Sequence, residues 1–484
     1  MQGQLTPTSR APFWADALVG LLLVLPWVNP WAPGPLSNTV PLLLSGASLA
    51  LLLACARLPS ATELARAWAW AALIGSAMGL LQYFGQAGLL HGWVFVPNHL
   101  GEAMSNLRQR NQLATLTSIG AVAVLWWHSQ GLKRPQALWM LALLAMGNAA
   151  TCSRTGLLQW LLLPTLLALW QWTARSRSAP WLWALVLWAW GVYLLASLAL
   201  PWMLSAWFDL DIRNAWFRMA TADGCGSRRI LWSNVLHLIA QQPWTGWGWG
   251  ELKYAHYMAT YPGARFCELL GNAHNLPLHL AVTLGVPVAL LVCGGLLALV
   301  WRARPWRLTR PEASLAWAVL AVITLHSLLE FPLWYGPFQL AVLWSVVLLS
   351  PSGTAERLLS WRPLRTLAIG ALCVAALIGY DYQRMRQVYL PPELRVSWWR
   401  DDPWTAARQT VFFGSEELFA ELTTIPVTAQ NAAAMLRVSQ AMLHNSPEPR
   451  VIQKLIESAR LTGREDLAQW HQAQMQAVYG QPKP

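Results

Sequence analysis

Arginines in three short motifs have the residue type and the setting to bind phosphate. The motifs are NLRQRNQLA, CSRTG and SRRILW, and their arginines are Arg108, Arg110, Arg154, Arg228 and Arg229. A guanidinium group forms forked, permanently charged hydrogen bonds that suit phosphate oxygens. Arg154 is the strongest candidate because it is fixed in a short turn between two apolar runs. A lipid-headgroup contact or an ion pair is the alternative for each of them.

A histidine supplies a second candidate chemistry. The motif GNAHNLPLHL places His274 and Asn275 directly before an apolar run. Imidazole exchanges protons near neutral pH, so His274 is a candidate general base toward an alcohol. Asn275 joins the predicted substrate-binding residues. The alternative is that the histidine caps a helix or serves only as a hydrogen-bond partner.

Two further motifs add polar and aromatic groups. The segment HSLLEFPLWYGPF carries His326 and Glu330 four residues apart, which predicts that they share one helix face. The carboxylate there is suited to orient an imidazole or to pair with an arginine, and a structural polar pair is the alternative. The turn PWTGWGWGE offers Trp247 for stacking on a sugar, or for immersion among lipid headgroups. Asn111, next to Arg110, completes the predicted substrate-binding set.

The elements that position these residues are membrane-spanning helices. Of the 484 residues, 55% are hydrophobic and 12% charged, whereas soluble domains carry about 25% charged residues. Apolar runs of roughly 17 to 25 residues recur, and tryptophans lie at many of their ends. The sequence therefore predicts an all-α polytopic bundle of about 11 spans, possibly 12. The span centres are near residues 21, 47, 74, 121, 142, 164, 192, 288, 321, 341 and 372.

Clusters of cations alternate along the loops and predict the orientation. By the positive-inside rule, the loops that carry them are cytoplasmic. These cations are Arg57, Arg66, Lys133, Arg134, Arg175, Arg177, Arg302, Arg304, Arg307, Arg310, Arg357, Arg362 and Arg365. The candidate site residues then all face outward, in the segment before Arg110, the turn at Arg154, the loop 206–273 and the turn 326–332. A miscounted span would change mainly the side of the C-terminal tail.

The tail changes from apolar to polar and amphipathic. We divide the chain into a transmembrane domain, residues 1–382, and a small helical outer domain, residues 383–484. The pattern predicts three short helices broken at Asn445–Pro447 and at Thr462–Gly463. Such helices resemble helical-hairpin repeats, which usually serve contact rather than chemistry, and a plain capping domain is the alternative. Cys225 and Cys267 share the long outer loop, where an oxidising compartment would allow a disulfide, but the sequence leaves the pairing open.

Several function classes find no support in the sequence. The cations form no single stripe, so the net charge of +12 does not indicate nucleic acid. In the motif Asp-Leu-Asp, Asp209 and Asp211 have a spacing that some glycosyltransferases use for a metal–nucleotide complex. A motif of three residues is a weak signal. No P-loop, dinucleotide fingerprint or zinc spacing occurs. We expect no cofactor and no metal.

The order of the motifs resembles a known family. NLRQRNQLATL, SRTG, SRRILW with QQPWTGWGWGE, AHNLPLHLAVTLG and HSLLEFPLWYGPF occur in that order over roughly residues 90 to 350. This series is similar to the bacterial O-antigen ligase and O-antigen polymerase superfamily. Within it, HSLLEFPLWY and the helical tail resemble most the protein O-linked oligosaccharyltransferases that glycosylate pilins.

The resemblance implies a reaction and assigns roles. The donor would be a glycan on undecaprenyl diphosphate at the periplasmic face of the inner membrane, and the acceptor a hydroxyl. Arg154 and Arg229 would bind the diphosphate, and the His-Asn motif of the family falls on His274 and Asn275. The glycine ten residues after Asn275 is present as Gly285, whereas Val288 stands where the ligases have Gly, Thr or Tyr. That departure weakens the lipid A ligase assignment.

The proposed chemistry needs few groups. Arginines would neutralise the leaving diphosphate while His274 takes the acceptor proton, so direct displacement predicts inversion without a metal. Two alternatives remain open. The same donor could serve ligation to the lipid A core or polymerisation of repeat units. A lipid-linked oligosaccharide transporter is the non-catalytic alternative, although the sequence shows no clear internal repeat and no mid-membrane charges.

Overall fold

The computed structural model describes residues 13–31, 34–90, 92–174, 180–208, 224–308, 310–351, 353–354, 357 and 360–480. Every regular element within those ranges is a helix, in agreement with the all-α prediction. The aspartates at positions 209 and 211, the cations at positions 175 and 177 and the turn residue at position 33 lie outside the described residues.

Nineteen α-helices are described, and we number them in chain order. The first seven are α1 Phe13–Val28, α2 Thr39–Ala54, α3 Ala61–Tyr83, α4 Arg110–Ser129, α5 Arg134–Ala150, α6 Arg154–Ala174 and α7 Pro180–Phe208. The next seven are α8 Arg228–Gln241, α9 Leu252–Met258, α10 Leu276–Leu284, α11 Val286–Ala303, α12 Pro311–Ser327, α13 Gly336–Leu349 and α14 Arg362–Met385. The tail contains α15 Pro403–Ala407, α16 Gly414–Thr424, α17 Ala432–Asn445, α18 Pro449–Leu461 and α19 Glu465–Tyr479.

Polar contacts between helix ends show that the predicted outer loops meet at one end of the bundle. Asn106 donates to the carbonyl of Val28 at 2.8 Å, which joins the segment before α4 to the end of α1. The amide of Ala103 donates to the carbonyl of Ala150 at the end of α5, at 3.1 Å. We call this the loop end.

The opposite end is joined by its own set of contacts. Arg57 pairs with Asp16 at 2.8 Å and with Glu63 at 2.6 Å, linking the start of α1 to the α2–α3 turn. Trp126 at the end of α4 donates to the carbonyl of Pro311 at the start of α12, at 2.8 Å. The chain therefore returns to the same two ends repeatedly, as the alternating cations predict.

Small residues let the central helices pack closely. A Cβ on Gly120 of α4 would lie 2.3 Å from the Cβ of Ala72 in α3. One on Gly147 of α5 would lie 2.3 Å from the hydroxyl oxygen of Ser76. Helices that lack a hydrophobic drive between them associate through such close backbone approach. This packing fixes α3, α4 and α5 as the rigid centre of the bundle.

Four described helical segments are long and apolar enough to cross a membrane. They are Ala61–Tyr83, Leu182–Phe208, Val286–Ala303 and Arg362–Tyr389, and three shorter apolar helices accompany them. Leu290, Leu291 and Leu297 of α11 are largely exposed, as expected for a surface that faces lipid. The finding supports a membrane-embedded helical protein, and the count of about 11 spans remains a prediction.

The predicted eighth span is broken, which corrects the sequence interpretation. It contains a short α10 and a separate α11, and Gly285 lies at the junction with a φ of +90°. A Cβ on Gly285 would lie 2.2 Å from the carbonyl oxygen of Trp244. The amide of Trp247 donates to the carbonyl of Val282 at 2.9 Å. The turn PWTGWGWGE, which we call the Gly/Trp turn, therefore packs against the break and holds α10 beside α8.

The three predicted tail helices are confirmed as α17, α18 and α19, with the breaks where the sequence places them. Their apolar faces form one core together with Tyr257 of α9. The hydroxyl of Tyr257 lies 2.9 Å from Nδ1 of His471, and Lys253 donates to the carbonyl of Asn445 at 2.8 Å. The tail thus docks on the long loop that carries α8 and α9, and its status as a separate domain beyond residue 382 stays a prediction.

The long loop is also closed covalently. Cys225 and Cys267 form a disulfide, with their Cα atoms 5.4 Å apart, which answers the question that the sequence left open. The bond ties the start of α8 to the segment that precedes His274.

The break at Gly285 gives a stability prediction. In Gly285→Ala, the added Cβ would be strained at the positive φ and would clash with the carbonyl of Trp244. The substitution should therefore lower the free energy of unfolding by about 1–3 kcal/mol. Thermal unfolding of the purified protein in detergent measures this. Gly294→Ala is the matched control, because a Cβ on Gly294 meets no atom within 4 Å. Equal melting temperatures for the two variants would contradict the role assigned to Gly285.

Candidate active site

Glu330 is the centre of the candidate site. It follows the end of α12 in a tight turn, where its amide donates to the carbonyl of His326 at 2.8 Å, and it is only 7% exposed. One carboxylate oxygen accepts from the side-chain amide of Asn111 at 3.1 Å and from the guanidinium of Arg228. The other lies 2.6 Å from Nδ1 of His274. Glu330 therefore joins three segments that are distant in sequence.

The carboxylate is ionised despite its burial. Burial alone would raise the pKa of Glu330, but the hydrogen bond from His274 and the positive charge of Arg228 hold its pKa below the ordinary value. A buried carboxylate with several charged partners is the expected case for such a shift. The negative charge is thus available to orient His274.

His274 is held by backbone and side chain together. Its backbone has a φ of +51°, in the left-handed region that few side chains adopt, and its amide donates to Asn272 at 2.9 Å. The edge of its ring meets Phe331, with ring centres 4.9 Å apart. With Nδ1–H donating to Glu330, Nε2 keeps its lone pair and is the atom able to accept a proton.

The prediction that His326 and Glu330 share one helix face is wrong. Helix α12 ends at Ser327, so the chain turns before it reaches Glu330. Nδ1 of His326 lies 2.8 Å from the hydroxyl of Thr115, inside the bundle, and the ring is 1% exposed. The carboxylate does orient an imidazole and pair with an arginine, as the sequence allowed, but that imidazole is His274.

A cavity of about 270 Å³ opens beside Glu330. Its charged lining is Arg110, Arg154, Arg228 and Glu330, and its other lining residues are Asn111, Cys152, Thr155, Leu158, Trp232 and Leu329. Arg110 pairs with Glu102 at 2.6 Å, and Arg228 pairs with Glu330. Among the described residues, no carboxylate lies within ion-pair distance of Arg154. The lining therefore carries an excess of positive charge that favours an anionic ligand.

The SRTG motif explains the position of Arg154. The hydroxyl of Ser153 donates to Asn111 at 2.6 Å and accepts from the amide of Gly156 at 3.1 Å, which starts α6 next to α4. A Cβ on Gly156 would lie 2.7 Å from Asn148, so only glycine fits there. Arg154 is the first residue of α6, and these contacts fix it at the cavity.

Six of the predicted site residues are not part of the cavity lining, namely His274, Asn275, His326, Arg108, Arg229 and Trp247. Arg229 is exposed at the start of α8, and its neighbour Arg228 turns inward instead. Arg108 lies over the ring of Phe95, with 4.7 Å between the guanidinium carbon and the ring centre. Trp247 donates from its indole to the carbonyl of Leu238 at 2.9 Å, within the core of the outer loop.

Asn275 caps a helix in the structure. Its side-chain oxygen accepts from the amide of Leu278 at 3.0 Å, at the start of α10. Its amide nitrogen donates to the carbonyl of Leu328 at 3.0 Å, in the turn that carries Glu330. Asn275 therefore connects the segment of His274 to the segment of Glu330.

Sequence reasoning missed some of the lining. Trp232 of α8 and Thr155 of α6 line the cavity, and Glu102 pairs with Arg110. Thr155 lies inside the SRTG motif, directly after Arg154, so the motif could have indicated that it belongs to the site. Glu102 stands eight residues before Arg110 in an irregular segment, where no periodicity connects the two.

Comparisons with known proteins agree with the motif-based resemblance. Residues 139–293 match the O-antigen ligase family, residues 314–484 match the C-terminal part of the virulence factor membrane-bound polymerases, and residues 103–128 match the protein glycosylation ligases. The chain is 24% identical over 404 residues to a general O-oligosaccharyltransferase of Acinetobacter baylyi. The aligned region covers 79% of this chain and 67% of that protein. The resemblance to the O-antigen ligase and polymerase superfamily is thereby confirmed, and O-glycan ligase activity in a membrane enzyme is supported.

The charge of Glu330 predicts a pH-dependent stability. Because its pKa is lowered in the folded protein, the ionised carboxylate stabilises the fold above its unfolded pKa, about 4.3–4.5, and this contribution is lost as the pH falls through the lower folded pKa. We expect wild type to melt at a higher temperature than Glu330→Gln at pH 7, and this difference in melting temperature to narrow once the pH falls below about 4.3–4.5. Thermal unfolding in detergent across this range measures it, and a gap that is constant with pH would contradict the prediction.

Proposed function

We propose that the protein transfers a glycan en bloc from undecaprenyl diphosphate to a hydroxyl acceptor, the Ser or Thr of a periplasmic protein such as a pilin. The reaction would occur at the periplasmic face of the bacterial inner membrane, with the loop end of the bundle facing outward. One observation carries the proposal. Buried Glu330 contacts both His274 and Arg228, so one carboxylate connects a candidate base to an arginine-lined cavity.

The arginines serve the donor. Arg154 and Arg228 would hold the diphosphate with forked hydrogen bonds, and Arg110 would add a third guanidinium at the cavity. Charge builds up on the diphosphate as the bond to the sugar breaks. Fixed positive groups in a partly dry site stabilise that charge without reorganising at the moment of reaction.

His274 serves the acceptor. The hydroxyl oxygen attacks the anomeric carbon, the bond from that carbon to the diphosphate oxygen breaks, and the diphosphate keeps the electron pair. The hydroxyl proton moves to Nε2 of His274, and the Glu330 carboxylate stabilises the imidazolium that forms. Attack from the side opposite the leaving group inverts the configuration at the anomeric carbon.

A protein acceptor is supported by similarity along most of the chain. The general O-oligosaccharyltransferase matches 79% of it, and the match to protein glycosylation ligases covers residues 103–128. The match of residues 139–293 to O-antigen ligases favours a second candidate, the same donor with the lipid A core as acceptor. Incubation of the purified protein with undecaprenyl-diphosphate glycan and either acceptor, followed by mass measurement of both, distinguishes the two. Glycan on neither acceptor would refute the proposal.

The cavity predicts which of two adjacent arginines matters. Arg228→Ala should lower glycan transfer by about 100-fold or more, because an oxyanion-stabilising group faces the donor. Arg229→Ala is the matched control and should retain most activity, since Arg229 is exposed outside the cavity lining. Transfer rates of purified variants with equal yield measure this. The reverse order of effects would support the family-based assignment of Arg229 and contradict ours.

The candidate base His274 and the cavity arginine Arg154 give a further prediction. His274→Ala should reduce the rate of transfer by about 100- to 10,000-fold, which is the usual contribution of a general base. Arg154→Ala should abolish transfer and weaken donor binding, while both proteins still insert and accumulate. Transfer measured by mass shift of the acceptor, alongside protein yield, checks this, and normal transfer by both variants would exclude the site.

A further inference from the structure

A stacked pair of tryptophans, of which one is exposed, lies next to the candidate site. Trp249, in the Gly/Trp turn, and Trp334, in the turn after Glu330, have ring centres 5.9 Å apart and planes inclined by 10°. Trp249 is 60% exposed, and Trp334 is half-buried. An exposed ring held in a fixed position is a typical feature of a binding surface.

The orientation of Trp249 is fixed by its surroundings. The ring of His279, which is 5% exposed, meets Trp249 edge-on at 5.7 Å and Trp334 at 5.0 Å. The amide of Gly248 donates to the carbonyl of Thr283 at 3.0 Å, and Gly248 has a φ of +108°. The turn is therefore bonded to α10 on one side of the indole, which leaves the ring little freedom.

A series of ring contacts connects the tryptophan pair to the candidate base His274. Phe331 contacts His274 at 4.9 Å between ring centres, and it contacts Trp334 at 6.4 Å. Trp249 is therefore reached from His274 through two intervening aromatic rings. The arginine cavity lies against Glu330, so a glycan attached at the cavity and extending past His274 would meet this pair.

We propose that Trp249, supported by Trp334, is a subsite that stacks on a pyranose ring of the donor glycan beyond the sugar that is linked to the diphosphate. A pyranose presents a flat face of C–H groups with partial positive charge, which suits the negative face of an indole. The stacked pair presents a flat surface, whereas apolar anchors of a protein acceptor bind in pockets. The subsite rests on the proposed function, because it assumes a glycan attached at the arginine cavity.

The test compares donors of different length in the full-length protein. The donors are undecaprenyl diphosphate carrying one sugar and the same carrier with a trisaccharide, at saturating acceptor. We expect Trp249→Ala to raise the KM for the trisaccharide donor about three- to tenfold and to leave the one-sugar donor unchanged. Trp249→Phe should restore most of the difference, since it keeps a stacking face.

Trp244→Ala is the matched control. Trp244 lies in the same turn and is 77% exposed, so it shares any interfacial role but not the stacked pair. An equal effect in Trp244→Ala, an equal loss with both donors, or a change confined to the KM of the acceptor would overturn the subsite.

A binding measurement separates this proposal from the reaction itself. Affinity of the purified protein for the two lipid-linked donors, without acceptor, should show the same length-dependent loss in Trp249→Ala. Unchanged affinity for the trisaccharide donor would overturn the subsite even if transfer proceeds. Length-dependent binding without any transfer by wild type would instead support the subsite and refute the proposed function.

Discussion

The buried carboxylate of Glu330 is the interaction on which the candidate site depends. It accepts from Asn111 in α4, from Arg228 in α8 and from His274 before α10, so four parts of the chain meet at one charge. Removing one partner of a buried ion pair is costly, because the remaining charge is left uncompensated. The carboxylate that orients the imidazole therefore also holds the helix bundle, the long loop and the turn after α12 in fixed positions relative to one another.

The surrounding fold keeps that relation rigid through close backbone contacts. Gly156 fixes the start of α6 against α5, and Gly285 lets the Gly/Trp turn reach the break before α11. The disulfide between Cys225 and Cys267 closes the loop that carries Arg228, and the tail docks on α9 of the same loop. The described part of the long loop is thus an ordered part of the site.

The sequence predicts the parts of this structure that depend on local pattern. Apolar runs and alternating cations give the helices and the end at which their loops gather, and the tail breaks follow from Pro447 and Gly463. Contacts between distant segments are not encoded locally. Asn111 and Glu330 are 219 positions apart, and His274 and Glu330 are 56 apart, so no spacing rule connects them. The choice between Arg228 and Arg229 depends on the rotation of α8, which only its packing determines.

The central claim is that Glu330 acts through His274. A double-mutant cycle on glycan transfer tests it most directly, with His274→Ala, Glu330→Gln and the double variant compared at saturating donor and acceptor. Residues that work as a unit show strongly non-additive losses. We predict that the double variant is no slower than His274→Ala alone. Losses that multiply, as for two independent groups, would contradict the account.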